Sequence, residues 1–503
     1  MLILEIDFGY NKIGDCMQRL FRDYDENLKK IKGDLADCSD LLLRKATTNG
    51  VRCLLLAMDG LINSLQLSEM IVSPILERTV DFKDNDELFE NIKLKVVNSL
   101  EMKEALSFED CYFFLMSGFC VVILDGVDKA VVCGIQGWEK RSVDEPKNEN
   151  NVKGAKESFV EALNDNKALL RRRLKTPHLK LKQLTLGSAA KTPVVIAYVD
   201  NRADKALVDE IEKRLVDADF NTIVDYGELV PFVNTDIKSF FSSVGNTERP
   251  DVAVSKLLEG RIVLLVDGTP FAIYLPALFS DSFQSVDDYD NPPFYSGFIR
   301  ILRYFSFAIS IFLPGLYVAI GTFHQELMPT GLLFTIANEE ITTPFSLMTE
   351  ALMLLILYEI MREAGLRLPR AIGHAVSIIG GIVIGETTVT AGLIGAPMLV
   401  VIALTAISSY VVYQLYEGVS VLRFVFIIIG GTTGMYGIVL GAAVMCINIC
   451  SLNPFGVALS SPISPLDFNS LGDIFYRESW KKLSKRKVRV NELRGAEIDA
   501  EKK

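Results

Sequence analysis

The sequence predicts an α/β soluble N-terminal region of two similar subdomains, followed by an all-α polytopic membrane domain. The chain of 503 residues has a mean hydropathy of +0.28 and 23% charged residues, so it is too apolar for disorder and too charged to be membrane-embedded throughout. Long uncharged runs begin after residue 290, whereas short apolar runs ending in turn residues precede it. Two of these short runs recur at a nearly constant offset, which indicates a duplication.

The duplication is predicted from two pairs of apolar runs that end in Asp-Gly or Asp-Asn. The run ending at Asp59 recurs at Asp200, and the run ending at Asp125 recurs at Asp267, so the two offsets differ by a single position. In each copy we expect a strand, an amphipathic helix such as residues 205–216, and a hairpin turning at Asp-Gly, with mixed strand directions. Coincidence is the alternative, because short strands followed by such turns are common.

Composition divides the chain into five segments. The sharpest boundary is at residue 291, where the long uncharged runs begin. The segments are an N-terminal extension (1–35), a first α/β subdomain with a basic connector at 171–182 (36–185), a second α/β subdomain (186–290), a transmembrane domain (291–466) and a basic cytoplasmic tail (467–503).

Charge and cysteine content exclude several classes of protein. The net charge of −11 and pI near 5.1 argue against nucleic-acid binding, which needs a basic surface. The eight cysteines form no CxxC pair, and the three histidines (His178, His324 and His374) are scattered, so we expect no metal site and no cofactor. No convergent acid, base and nucleophile are evident, and we expect no enzymatic activity. The first residues, with Glu5 and Asp7, do not read as a secretory signal.

Apolar runs predict the membrane helices, because a bilayer core of about 30 Å needs about 20 mainly apolar residues per helix. Uncharged runs occupy residues 304–321, 387–416 and 424–466, and nearly uncharged runs occupy 345–360 and 371–385. The glycine-rich run 424–466 is either one span plus a surface segment or a tight pair of spans. We therefore expect four to six crossings.

Lysine and arginine in the connecting segments predict the orientation. Residues 322–344 contain neither, so this loop is expected outside, whereas 361–370 contains three arginines and is expected inside. The lysine- and arginine-rich tail is also expected inside. Both termini are therefore predicted to be cytoplasmic, which requires an even number of crossings.

Sequence motifs along nearly the whole chain resemble those of one family. The motifs are RSVDEP (141–146), GAKESFVEAL (154–163), ALLRRRLK (168–175), NTERPD (246–251), LLEGRIVLLVDGTPF (257–271), FQSVDDY (283–289), LPGLYVAIGTFHQELMPTGLL (313–333), EIMREAGLRLP (359–369), GGIVIG (380–385) and VVIALTAISSY (400–410). Together they resemble the A subunits of the GerA-type spore germinant receptors.

The resemblance implies a subunit of a nutrient receptor in the spore inner membrane. Such a subunit would assemble with a permease-like B subunit and a lipoprotein C subunit, form homo-oligomers within the complex, contact membrane lipids, and trigger ion release and germination when the nutrient binds to it or to a partner. A ligand-gated channel component is the leading interpretation. A secondary transporter with broken helices, or a sensor or scaffold without its own ion path, are the alternatives.

Two carboxylates within the apolar runs are the candidate ion-path residues. A charged side chain inside a span costs about 2.5–3.5 kcal/mol on insertion scales and often marks an ion path. Glu386 follows a glycine-rich break, and Glu350 interrupts the run 345–360. The alternative for each is a structural hydrogen-bonding role, or for Glu350 a position near the outer interface.

A basic cluster with two nearby glutamates is the candidate subunit-interface or lipid contact. Arg171, Arg172 and Arg173 are consecutive, and Glu157 and Glu161 precede them on the N-terminal side. The arginines could bind anionic headgroups or an acidic face of another subunit. The alternative is a solvated face, since exposed ion pairs contribute little. The aspartates at the strand ends are interpreted mainly as turn formers, with a ligand cleft as the alternative.

Overall fold

The computed structural model describes residues 18–137, 146, 149, 151–234, 239–369, 381, 383–468, 470–483, 489–493 and 496. The chain forms two compact units. The first comprises residues 1–150, 155–230 and 246–274, and the second comprises residues 151–154, 231–245 and 275–503. Strands are numbered β1 to β10, and helices of eight or more residues α1 to α10, in chain order.

A five-stranded antiparallel sheet forms the first half of the N-terminal region. Its order is β1-β2-β4-β5-β3, and every neighbouring pair is antiparallel. The strands are β1 (Leu41–Thr48), β2 (Val51–Met58), β3 (Met102–Ala105), β4 (Phe119–Leu124) and β5 (Ala130–Gly134), with helices α1 (Tyr24–Asp34) and α2 (Phe108–Leu115). The prediction of mixed strand directions is wrong for this sheet, because tight hairpins join β1 to β2 and β4 to β5.

A second sheet has the same order of strands, β6-β7-β9-β10-β8. The strands are β6 (Leu179–Leu186), β7 (Thr192–Val199), β8 (Gly245–Thr247), β9 (Ile262–Val266) and β10 (Ala272–Leu275), and the helices are α3 (Leu163–Arg173), α4 (Lys205–Asp217) and α5 (Pro250–Leu258). The residues interpreted as a basic connector thus form the end of α3 and the first half of β6. Shorter helical segments are Ser64–Gln66, Leu67–Val72, Ser73–Glu77, Asn85–Asn91, Ile92–Val96 and Val230–Val233.

The register of the strands confirms the duplication. Cys53 of β2 pairs with Leu124 of β4, and Val194 of β7 pairs with Val266 of β9. Val194 follows Cys53 by 141 positions and Val266 follows Leu124 by 142 positions, and the turn aspartates recur at the same two offsets. The first helix of each copy also starts alike: Asn27 exchanges side-chain hydrogen bonds with the Phe21 backbone, and Asn166 does so with the Val160 backbone.

Alternation along β2 builds the core on both faces of the first sheet. Leu54, Leu56 and Met58 pack with α1 and α2, whereas Cys53 and Leu55 pack with the short helices between β2 and β3. This is the two-residue period of a strand buried on both sides. Burial raises the pKa of the Cys53 thiol to about 11, so this cysteine behaves as a small apolar residue.

The second unit is built from long apolar helices. They are α6 (Pro293–Phe323), α7 (Thr330–Thr342), α8 (Leu347–Arg367), α9 (Ala396–Val411) and α10 (Tyr416–Ser451). Within the described residues, two helical stretches are long and apolar enough to cross a membrane, Pro293–Phe323 and Tyr413–Ser451. The pair α7 and α8, bent by 77°, would be a third if it counts as one span, and α9 is apolar but shorter.

Helix α10 is a hairpin of two packed arms. Gly434 has φ 66° and ψ −153°, which is not helical and is open essentially only to glycine. A Cβ atom added to Gly441 would lie 2.9 Å from the ring of Phe426. In a straight helix these residues would be about 22 Å apart, so the chain reverses at Gly434. Of the two interpretations of this run, the structure favours the tight pair.

Candidate functional site

Glu350 lies in the first turn of α8 and is buried, with 2% exposure. Its carboxylate accepts a hydrogen bond from the Gly395 backbone N–H, just before α9 begins. Tyr317, Glu339 and Glu340 line the same cavity of about 10 Å³, which has room for about one water molecule. Three carboxylates thus line one small cavity at the junction of α7, α8 and α9, but they are not placed to hold a metal ion together.

A second buried charged group was missed by the sequence analysis. Arg423, on the first arm of α10, is 0% exposed, and its Nη1 lies 3.8 Å from the Glu359 carboxylate of α8. Its Nε donates to the Ser310 carbonyl oxygen of α6 at 3.1 Å. Tyr416 and Ser420 each donate a hydroxyl hydrogen bond to Glu359 at 2.9 Å. We call these residues the Glu359–Arg423 network.

The Glu359–Arg423 network joins three helices through an ion pair whose arginine is buried and whose glutamate side chain is 18% exposed. Arg362 also donates to Glu359, at 3.0 Å, so two guanidinium groups share one carboxylate. The Nη1 and Nη2 atoms of Arg423 are buried without a hydrogen-bond partner among the described residues. Removing Glu359 would leave the charge of the buried Arg423 without a compensating carboxylate, which destabilises the packing of these helices. Glu359 was visible in the sequence as an interruption of an apolar run, but Arg423 was not singled out.

Glu386 does not line the Glu350 cavity and is not a member of the Glu359–Arg423 network. It lies in the helical turn Val383–Thr387 and its side chain is exposed. Its backbone carbonyl accepts a hydrogen bond from the Thr390 hydroxyl at 2.7 Å. The structure therefore does not bring Glu386 and Glu350 together within the chain. Within the part of the chain that the structure describes, no group of three or more His, Cys, Asp or Glu side chains is placed to hold a metal ion.

The three consecutive arginines have different environments. Arg171 is buried and bound to Asp40 by two hydrogen bonds, Nε to Oδ2 at 2.7 Å and Nη2 to Oδ1 at 3.0 Å. Arg172 and Arg173 are partly exposed and both bind Glu157, at 3.0 and 2.8 Å. This placement favours a structural role for Arg171 and leaves Arg172 and Arg173 as the surface candidates.

The two glutamates near the arginines also differ. Glu157 is engaged within the chain by Arg172 and Arg173, whereas the side chain of Glu161 is exposed and its backbone carbonyl accepts from the Gly268 N–H at 2.8 Å. Glu161 is therefore more available than Glu157 for contact with another molecule.

The strand-end aspartates mostly fix local structure. Asp125 accepts from the Tyr24 N–H at the start of α1, and Asp267 accepts from the Leu163 N–H at the start of α3. Asp200 binds His178 at 2.8 Å and lines a cleft of about 640 Å³ in the first unit. His374 and most of the RSVDEP motif lie outside the described residues.

These observations define a class: a protein with a duplicated antiparallel α/β region and an apolar helical region that holds buried charged groups. Residues 29–489 match the family described as Bacillus/Clostridium GerA spore germination protein. The chain belongs to this family, and the predicted relationship to germinant receptor A subunits is confirmed.

Individual relatives cover nearly the whole chain. The chain is 35% identical to spore germination protein KA of Bacillus subtilis (strain 168) over 460 residues, which is 90% of this chain and 84% of that protein. It is 30% identical to spore germination protein GerLA of Bacillus cereus over 456 residues, 90% of this chain and 92% of that one. Among solved structures, the chain is similar to the crystal structure of the N-terminal domain of the A subunit of the Bacillus megaterium spore germinant receptor GerK3. The sequences are 27% identical, the match covers 53% of this chain and 99% of that one, and the TM-score is 0.41.

Proposed function

We propose that this protein is the A subunit of a nutrient-sensing receptor in the spore inner membrane, and that it contributes to a ligand-gated ion channel. Its role is signalling rather than catalytic. It works with a permease-like B subunit and a lipoprotein C subunit, assembles with further copies of itself, and contacts membrane lipids. Family membership along the chain is the observation that carries the proposal, and the buried carboxylate of Glu350 in an apolar helix supports the ion path.

The ion path is assigned to the carboxylates of the helical region. Glu350 is the stronger candidate on geometry, because Glu339 and Glu340 line the same small cavity and together would attract a cation. Glu386 is exposed on this chain, so it would reach an ion only if its face lines a space shared with another subunit.

We propose six passages through the membrane, with both termini cytoplasmic. Gly321 near the end of α6 touches Leu347 at the start of α8, and Gly434 lies beside Phe323. These contacts place one end of α6, one end of α8 and the turn of α10 on the same side. Helix α9 also begins next to Glu350 on that side. Five of the passages are α6, α8, α9 and the two arms of α10, and the sixth corresponds to the predicted apolar run 371–385, most of which lies outside the described residues.

The lengths of these passages are compatible with a bilayer. The two arms of α10 are about 27 and 25 Å long and α9 is about 24 Å, slightly short of the hydrocarbon core of about 30 Å. Small mismatches of this kind are accommodated at modest cost by local thinning of the bilayer.

Cysteine labelling tests the topology. Cys446 and Cys450 are exposed and are first replaced by serine. Glu326→Cys and Lys482→Cys then place single thiols at side chains that are each 72% exposed. A membrane-impermeant maleimide applied from outside should label the first and not the second. The reverse pattern rejects the orientation, and labelling of both rejects the even number of crossings.

Ion flux tests the function. The protein is reconstituted with its B and C partners in liposomes, and potassium flux is measured with and without a defined mixture of amino acids and sugars. Nutrient-dependent flux should appear, and Glu350→Gln and Glu386→Gln should reduce it at unchanged assembly. Glu363→Gln is the control, because that half-exposed carboxylate pairs with Arg367 on the surface of α8. Absence of flux despite confirmed assembly would leave this chain as a sensor or scaffold.

A further inference from the structure

We propose that a cluster of charged residues at the base of α6 is a releasable clamp that holds the first membrane helix in its closed position. The cluster consists of Asp288, Tyr289, Arg300 and Asp473, and we call it the basal clamp. This inference rests on the proposed receptor function and adds to it a regulatory contact between the C-terminal segment and α6.

Arg300 is the centre of the basal clamp and is 0% exposed. Its Nε donates to Asp288 at 2.8 Å, and its Nη1 donates to the Asp473 carboxylate at 2.8 Å. Nη1 also donates to the Asp473 backbone carbonyl. One guanidinium group therefore joins three parts of the second unit: the segment before α6, α6 itself and the segment at residues 471–477.

Tyr289 completes the basal clamp. Its hydroxyl donates to the second carboxylate oxygen of Asp473 at 2.7 Å, and its ring lies below the Arg300 guanidinium at 5.4 Å from the ring centroid. Asp288 is also shared, because Arg303 donates to it at 2.7 Å. Both carboxylates are therefore held in place by more than one donor, which fixes their position relative to α6.

The basal clamp is strong but incomplete. Nη2 of Arg300 is buried and has no hydrogen-bond partner among the described residues. A buried guanidinium with an unmatched N–H group carries an uncompensated desolvation cost. The contact therefore holds α6 in place without satisfying all donors of Arg300, as expected of a contact that can be released.

The helices above the basal clamp are closely packed. A Cβ atom added to Gly315 would lie 2.5 Å from the Phe426 carbonyl oxygen, so the backbones of α6 and the first arm of α10 touch. Arg423 binds the Ser310 carbonyl of α6. Arg300 and Ser310 both precede Pro314, where α6 can bend. Arg300 and Ser310 therefore lie on the same uninterrupted stretch of α6, and we expect a movement of this stretch away from the segment at residues 471–477 to break the contact of Arg300 with Asp473.

If the basal clamp breaks when α6 moves, it stabilises the arrangement of this structure relative to the moved one. Weakening it shifts the equilibrium toward any state in which α6 has moved. Loss of the basal clamp should therefore make the receptor easier to activate, whereas a merely structural contact would reduce the amount or the response of the protein.

The test is a nutrient dose–response of spores that carry the variant chain with its natural partners. Asp473→Asn removes the charge but keeps an oxygen that can accept from Arg300, and a neutral acceptor binds about half as strongly as a charged one. We expect the half-maximal concentration of a defined mixture of amino acids and sugars to fall about three- to tenfold, with more germination in its absence. Asp473→Glu keeps the charge and should stay within about twofold of the unmodified chain. Asp290→Asn is the matched control, because Asp290 is exposed and lies close to Asp288 in the sequence.

An unchanged or higher half-maximal concentration in Asp473→Asn, at normal protein level by immunoblot, overturns the proposal. Tyr289→Phe removes only the hydroxyl that binds Asp473 and covers the case in which Asp473→Asn does not accumulate. It should shift the response in the same direction, and an unshifted response in Tyr289→Phe also overturns the proposal. A strain that lacks this chain distinguishes failure of the basal-clamp proposal from failure of the proposed receptor function. If the response of that strain to the mixture is unchanged, the receptor function itself is wrong.

Discussion

The ion pair between Arg171 and Asp40 should be the largest single electrostatic contribution to the stability of the N-terminal region. Both side chains are buried, and the pair links the end of α3 to the start of β1. Arg171 Nη1 also donates to the Leu179 carbonyl at 2.8 Å. The substitution Asp40→Ala leaves the charge of Arg171 buried and removes the acceptor of two of its nitrogens.

The expected magnitude follows from what remains buried after each substitution. Removing one partner of a buried pair costs about 3–5 kcal/mol, and removing both in favour of apolar residues costs much less. We expect Asp40→Ala to lose about 3–5 kcal/mol, and the double variant Asp40→Leu/Arg171→Met to regain at least half of it. Arg172→Met is the matched control, because Arg172 is partly exposed and its pair with Glu157 should contribute less than about 1 kcal/mol.

Pulse proteolysis in urea measures this difference on the full-length protein in detergent, with the N-terminal region followed by an epitope tag. With a urea m-value of about 3 kcal/mol/M, the midpoint for Asp40→Ala should fall by about 1–1.7 M. A fall of less than about 0.3 M would refute the reasoning. So would a double variant that loses as much stability as Asp40→Ala, because removing the buried Arg171 charge would then relieve nothing.

Three further predictions concern pH, the hairpin and the Glu359–Arg423 network. Burial raises the pKa of the Glu149 carboxyl to about 7, above its usual 4.5, so between these pH values the folded state keeps a proton that the unfolded state loses. The free energy of unfolding should therefore fall as pH rises from about 4.5 to about 7. Glu149→Gln should abolish the corresponding slope of melting temperature against pH. Gly434→Ala should cost about 1–3 kcal/mol in thermal unfolding, whereas Gly331→Ala, which meets no atom within 4 Å, should cost nothing. Glu359→Ala should cost about 3 kcal/mol by the same measurement and Glu363→Ala less than about 1 kcal/mol, and equal losses would contradict a buried network.

The repeated N-terminal fold could be predicted because its signals are local. A short apolar run followed by Asp-Gly or Asp-Asn is visible in a short window, and nearly equal offsets between such runs expose the duplication. The strand directions could not be predicted in the same way. Antiparallel pairing of β2 with β4 depends on how the long segment between them folds, and no local signal in that segment states the direction.

The environments of the arginines show what a linear pattern leaves open. Three consecutive basic residues resemble a solvated face, yet successive helical residues are about 100° apart, so one of three points inward. Which one does so depends on Asp40, which is distant in the sequence and lies at the start of another element. Arg423 is similar: its partner Glu359 belongs to a different helix, and only the packing of α8 against α10 brings them together.

The glycine-rich run 424–466 is a second case in which composition predicts a feature but not its geometry. Its glycines predict a broken or closely packed segment, and both outcomes occur: Gly430 packs against the backbone of α6, and Gly434 reverses the chain. Composition cannot distinguish these roles, because each exploits the absence of a Cβ atom. The distinction appears only in the positive φ of Gly434.

Helix α8 carries the buried Glu350 and the partly exposed Glu359 on opposite sides. Glu350 and Glu359 are separated by two and a half helical turns, so they differ by about 180° around the axis and by about 13 Å along it. Glu350 faces α7 and the start of α9, whereas Glu359 faces α10. An ion moving past Glu350 would therefore use the face of α8 that the Glu359–Arg423 network does not occupy. The two neutral substitutions should therefore have different effects. Glu350→Gln should change ion flux while the stability of the protein is unchanged, and the main effect of Glu359→Gln should be a loss of stability.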